Sequence, residues 1–116
     1  MPGSMGASSF VLAGRGNAES LWSASHGAGR VLSRSDALKG TDTEFFNFKR
    51  FRVVTPTDLR RQDVRSRTDI LERKLAEIKQ EAPFAYKGIG AIVQTLTNTQ
   101  IATPVVELTP LLTVKG

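Results

Sequence analysis

The chain has 116 residues, with 16 Lys and Arg against 11 Asp and Glu, for a net charge of +5. Its length suits one core, and an apolar share of 40% excludes a disordered charged tail. There is no cysteine and His26 is the sole histidine, so disulfides, cysteine nucleophiles and thiolate or multi-histidine metal sites built from this chain alone are excluded.

The amino end, Met1-Pro2-Gly3-Ser4-Met5-Gly6, has neither the charged region nor the apolar core of a signal peptide. No apolar run nears the roughly 20 residues that cross a bilayer. The expectation is a soluble, cytoplasmic protein with no membrane partner. The basic excess suits an anionic partner such as RNA or a nucleotide, and equally suits plain solubility.

Seven of the ten glycines and eight serines fall in the first forty residues, a composition for turns and close backbone approach to a ligand. Within it, Phe10-Val11-Leu12-Ala13 is bounded by Ser9 and Gly14 and reads as a short buried strand. After Gly29 a short helix is expected, capped by Ser33 with Asp36 three residues on. Residues 45–54 mix aromatic and basic side chains, and 50–54 reads as a strand closed by Thr55-Pro56.

The clearest helix begins at Thr68 or Asp69, where Asp69 followed by Glu72 forms an N-terminal signature. Leu71, Leu75 and Ile78 make its apolar stripe, and Pro83 stops it. A further helix is expected over Gly88–Thr97, with Ile89, Ile92, Val93 and Leu96 on one face. The tail reads as two extended segments, 104–108 and 111–115, split by Pro110. Short strands with two or three helices make the fold class α+β.

The sharpest local feature is Ser25-His26-Gly27-Ala28-Gly29-Arg30. Its glycines permit backbone N–H groups to face outward as an anion nest, with the Arg30 fork beside them. An imidazole at such a cradle suits proton transfer or attack on phosphorus; the plainer alternative is a glycine turn beside an exposed histidine. The opening loop, Pro2 to Ser9, offers amides at Gly3 and Gly6 and hydroxyls at Ser4, Ser8 and Ser9. It is no Walker loop, since no Gly-Lys-Ser/Thr follows. Between 49 and 74, nine basic residues face four acidic ones, either a nucleic-acid track or a solvated surface with local ion pairs such as Asp69–Arg73. Tyr86 by itself suits core or rim packing, and Lys115 an exposed tail.

Taken together, Pro2-Gly3-Ser4-Met5-Gly6, Ser25-His26-Gly27-Ala28-Gly29-Arg30, Ser33-Arg34, Ala85-Tyr86-Lys87 and Val114-Lys115-Gly116 resemble the RtcB family of RNA-splicing ligases. The order and spacing fit across essentially the whole chain, but match only the carboxy-terminal portion of a several-fold longer family. The resemblance implies one incomplete ligase domain over residues 1–116, without the metal-binding part. It also implies joining of RNA 3′-phosphate or 2′,3′-cyclic phosphate ends to 5′-hydroxyl ends, with GTP and manganese. His26 would attack the α-phosphate of GTP and carry the guanylyl group.

On the same resemblance Gly27, Ala28 and Gly29 line the phosphates, and Pro2, Gly3, Ser4 and Met5 form a nucleotide-binding loop. Ser9, Tyr86 and Lys115 belong to the guanosine pocket, while Arg30 and Arg34 are candidates for phosphate or RNA. The family's metal ligands (cysteine, aspartate and several histidines) and its guanine-reading acid lie upstream of the matching stretch. This implies that the chain alone does not ligate RNA, being a fragment, half of a split enzyme that docks on a separate metal-binding chain, or an inactive remnant. A docked half would leave apolar surface open. The contrasting class is a non-catalytic RNA-binding module that has lost the metal site.

Overall fold

The computed structural model describes residues 1–40 and 52–115. Strand β1 (Ser9–Gly14) pairs antiparallel with β3 (Ala102–Leu108), and β2 (Val53–Val54) pairs parallel with β4 (Thr113–Val114). Helices α1 (Arg34–Leu38), α2 (Gln62–Arg65), α3 (Thr68–Gln80) and α4 (Ile89–Asn98) complete the α+β arrangement, with a 3₁₀ turn at Pro83–Ala85. Helices α1 and α2 pack on α3, whereas α4 packs on β3.

The expected elements form for the expected local reasons. Ser33 caps α1, its hydroxyl accepting from the Asp36 amide at 3.1 Å. Of the stripe Leu71, Leu75 and Ile78 on α3, Ile78 is buried at 2% exposure, while Leu71 and Leu75 are half-buried. Ile78 anchors a small cluster with Met5 and Ala82, against which Val53, Leu59 and Phe84 pack. Pro83 opens the 3₁₀ turn that follows the end of α3. Helix α4 matches its expected span within one residue, burying Val93 and Leu96.

Some details differ from the sequence reading. The single turn α2 adds a fourth α-helix among the described residues, and it buries no side chain, so no apolar period announced it. Asp69 lies inside the first turn of α3 rather than at its cap, holding the preceding Arg67 in a two-pronged ion pair at 3.0 and 3.1 Å. Strand β1 is not buried, because its sheet has only two strands and Val11 is 48% exposed. Of the expected strand over 50–54, residues 53 and 54 form β2, while the aromatic-basic residues 45–51 lie outside the described residues.

The molecule is elongated, 56 × 27 × 22 Å with a radius of gyration of 17.0 Å, against about 13 Å for a compact hundred-residue domain. Its core is correspondingly thin: Ile78 is the one large side chain buried almost completely among the described residues. Leu21, Trp22 and Leu111 stand 78%, 73% and 80% exposed, and Val105, Val106 and Leu108 lie open along β3.

Candidate functional site

A cleft of about 630 Å³ opens between four segments: the loop before β1, the glycine loop at 26–29, the end of α3 with its following turn, and the tail carrying β4. Each segment is held by a backbone device. The first loop is closed like a purse, Met1 N donating to Phe10 O at 2.6 Å and Phe10 N donating to Met1 O at 2.9 Å. Within it Ala7 N donates to Ser4 O, and Gly3 N donates to Ser9 Oγ at 3.4 Å. Gly3 must be glycine here, since a Cβ would sit 2.3 Å from the Ser8 carbonyl oxygen. Met5, 8% exposed, drives the loop into the apolar cluster on α3.

The glycine loop is braced at both ends. Ser25 Oγ donates to Gly27 O at 2.7 Å, while Lys87 N donates to Gly29 O at 3.0 Å. Gly29 adopts φ +73, a left-handed backbone that β-carbons disfavour, and it turns the chain from the His26 loop into a bridge pairing Arg30 with Tyr86. His26 is exposed at the cleft, and Ala28 is buried beside it. On the opposite side, Lys115 N donates to Val54 O at 2.8 Å, so the parallel pairing of β4 with β2 fixes where the lysine emerges.

The structure therefore brings His26, Gly27, Ala28, Gly29, Pro2, Gly3, Ser4, Met5, Ser9, Tyr86 and Lys115 around one cleft. Ser8 is in the same loop but does not line it. Arg30 and Arg34 also stand outside the lining. The Arg30 fork is turned inward: Nε donates to Leu32 O at 2.9 Å, Nη1 to Tyr86 Oη at 3.0 Å and Nη2 to Gln80 O at 2.6 Å. Its guanidinium carbon is 4.8 Å from the Tyr86 ring centroid, so arginine and ring form one unit. Arg34, with a side chain 66% exposed, donates from Nε to Glu81 at 3.3 Å.

Glu81 also lines the cleft, and sequence reasoning passed over it. It is the residue just past α3, outside the helical period, and its ordinary reading is a solvated helix end. Its nearness to the sole tyrosine, five residues on, was the one available signal. Burial is the largest single influence on its carboxyl and works against ionisation. The Tyr86 hydrogen bond and the charges of Lys115, Arg30 and Arg34 together prevail and hold its pKa below the ordinary glutamate range. Burial, then the Glu81 hydrogen bond, raises the Tyr86 phenol, against the opposing pull of Arg30.

The basic stretch over 58–69 is knitted into local, exposed ion pairs: Arg60–Asp58 at 3.1 Å, Arg61–Asp63 at 2.8 Å and Arg67–Asp69 at 3.0 Å. No group of three or more His, Cys, Asp or Glu that could hold a metal ion occurs among the described residues. No helix among them is long and apolar enough to cross a membrane.

The family model described as tRNA-splicing ligase RtcB matches residues 1–116. The chain belongs to the RtcB family. It is 41% identical over 93 residues to the RNA-splicing ligase RtcB of Escherichia coli K12, covering 80% of this chain and 19% of that relative. It is 34% identical over 119 residues to the RNA-splicing ligase RtcB of Mycobacterium tuberculosis H37Rv, spanning 100% of this chain and 24% of the relative. The tRNA-splicing ligase RtcB of Pyrobaculum aerophilum is 32% identical over 118 residues, with 22% of its length covered. The chain thus spans about a fifth to a quarter of the length of these three relatives.

Proposed function

We propose that the cleft binds a guanosine nucleotide and that His26 is the nucleophile of a GTP-dependent RNA ligase. The carrying observation is that His26, the Gly27–Gly29 backbone, the opening loop, Tyr86 and Lys115, far apart in sequence, border one cleft. A left-handed glycine three residues after an exposed imidazole, in the same loop, supports anion binding where a phosphate would react. Tyr86, backed by Arg30, is a braced aromatic surface of the kind on which bases stack. Arg34, outside the cleft and mostly exposed, suits a phosphate of the RNA.

In the reaction this supports, a ring nitrogen of His26 forms a bond to the α-phosphorus of GTP. The bond from that phosphorus to the bridging oxygen breaks, and pyrophosphate leaves with the electron pair. The phosphorus–nitrogen bond is reactive enough to hand the guanylyl group to an RNA 3′-phosphate. A 5′-hydroxyl then attacks the activated terminal phosphorus and GMP departs. Backbone amides preorganised by the glycine loop would stabilise charge gathering on the phosphoryl oxygens.

Manganese does not fit the donor set of the described residues. If the reaction uses the metal, its ligands come from a separate metal-binding portion. The open apolar residues Leu21, Trp22 and Leu111 support a surface of that kind against which such a portion packs. Incubating the chain with labelled GTP, manganese and an RtcB ligase deprived of the matching segment should leave label on this chain, labile in acid and stable in alkali. If His26→Ala takes up label as well as the parent does, the nucleophile assignment is wrong.

A further inference from the structure

At the inner wall of the cleft one carboxylate gathers four partners from four segments. Tyr86 Oη donates to Glu81 Oε2. Arg30 Nη1 stands 3.6 Å and Arg34 Nε 3.3 Å from Glu81 Oε1, and Lys115 Nζ stands 4.0 Å from Oε2. The glycine loop, α1, the turn after α3 and the tail thus meet at one acidic side chain that is 19% exposed. Among the described residues, no other carboxylate borders the cleft.

The distances divide the partners into two kinds. Tyr86 is fixed directly, by an oxygen-to-oxygen hydrogen bond whose acceptor is charged. Lys115 is different: 4.0 Å is too long for a hydrogen bond, so Coulomb attraction draws the ammonium to the wall while its N–H donors stay uncommitted to Glu81. The lysine is therefore held beside the tyrosine with its donors available to a ligand. The carboxylate also offsets part of the charge of three cations. Without it, this end of the cleft would be a plain anion trap.

We propose that Glu81 is a positioning residue of the nucleotide cleft, fixing Tyr86 and drawing Lys115 so that this end accepts a neutral base edge in preference to a phosphate. The inference rests on the nucleotide reading above, which already sets the base against Tyr86, and adds to it the residue that holds the tyrosine and the lysine in place. Glu81 need not touch the ligand to do so. It acts through the tyrosine and lysine it arranges.

The test compares the chain with Glu81→Gln and Glu81→Asp, using GMP and inorganic pyrophosphate as probes in titration calorimetry. Tyr86 is the sole tyrosine, so tyrosinate absorbance reports its ionisation without interference from another phenol. Glu81→Gln should weaken GMP roughly tenfold, the scale of one broken charge-assisted hydrogen bond, while leaving pyrophosphate unchanged or tighter. Tyr86 should then ionise at lower pH, and Glu81→Asp should recover most of the GMP affinity. Equal losses for GMP and pyrophosphate, with no recovery in Glu81→Asp, would mean a merely structural role and overturn the proposal. A Glu81→Gln chain that binds GMP like the parent overturns the role of Glu81 alone. A parent that takes up no GMP overturns the nucleotide reading, and the proposed ligand with it.

Discussion

Met5 and Ile78 meet in the small apolar cluster beneath the cleft, joining the glycine-serine loop at one end of the chain to the last turns of α3. A loop of this composition has little reason to hold one shape, yet burial of a single methionine fastens it where the ligand would sit. Stability and site geometry therefore depend on the same packing.

That packing makes Ile78→Ala doubly costly. Removing a large aliphatic side chain that is 2% exposed should destabilise the chain by about 2–5 kcal/mol. Urea unfolding measures this, and GMP affinity should fall with it. A variant as stable as the parent would show that the cluster is not the core of the fold.

Ser33→Ala removes the cap of α1, whose hydroxyl accepts from Asp36 N and donates to Asp36 Oδ2 at 2.6 Å. The expected loss is about 1 kcal/mol, seen in the same unfolding assay. Ser33→Asp should retain most of the stability, because a carboxylate can replace the missing acceptor. If alanine and aspartate behave alike, the cap contributes nothing.

The pH response follows from Glu81. Its carboxyl ionises more readily in the folded chain than in the unfolded one, so the folded state binds fewer protons near its titration. Its stabilisation is present above the unfolded glutamate pKa, about 4.3, and is lost as pH falls through the lower folded value. Asp36, Asp58, Asp69 and Glu77 are lowered in the same direction by their partners, but their side chains are far more open to solvent than that of Glu81 and are screened. Glu81→Gln should accordingly flatten much of the acid limb of a stability-against-pH curve. An acid limb unaltered by this change would place the titrating groups elsewhere.

The basic stretch makes a separate prediction about RNA. Arg60, Arg61 and Arg67 are already in local ion pairs, so RNA phosphates would have to replace Asp58 and Asp63 as partners of Arg60 and Arg61. Changing Arg60, Arg61 and Arg65 to Glu should weaken binding of a single-stranded RNA. It should also reduce the salt slope by about 0.7 for each phosphate no longer neutralised. An identical slope would assign the stretch to solvated surface.

What the sequence determined was local. Serine three residues before an acid made the cap of α1; the spacing of Leu71, Leu75 and Ile78 made α3 and its inward face. Glycines around His26 announced a turn, and family resemblance carried by short motifs named the residues that now border the cleft. The cap, the stripe and the turn each depend on neighbours within a turn or two of chain, where spacing alone specifies which side chains meet.

Tertiary structure decided the rest. The parallel pairing of two-residue strands β2 and β4 brings Lys115 to the wall, and no periodicity can announce so short a pairing. The same holds for Glu81, whose partners Arg30, Arg34 and Lys115 are 51, 47 and 34 positions away. An isolated carboxylate after a helix is ordinary in sequence. Its role as a hub arises only when packing removes water and draws separate segments around it, because charge acts through distance in space and not along the chain.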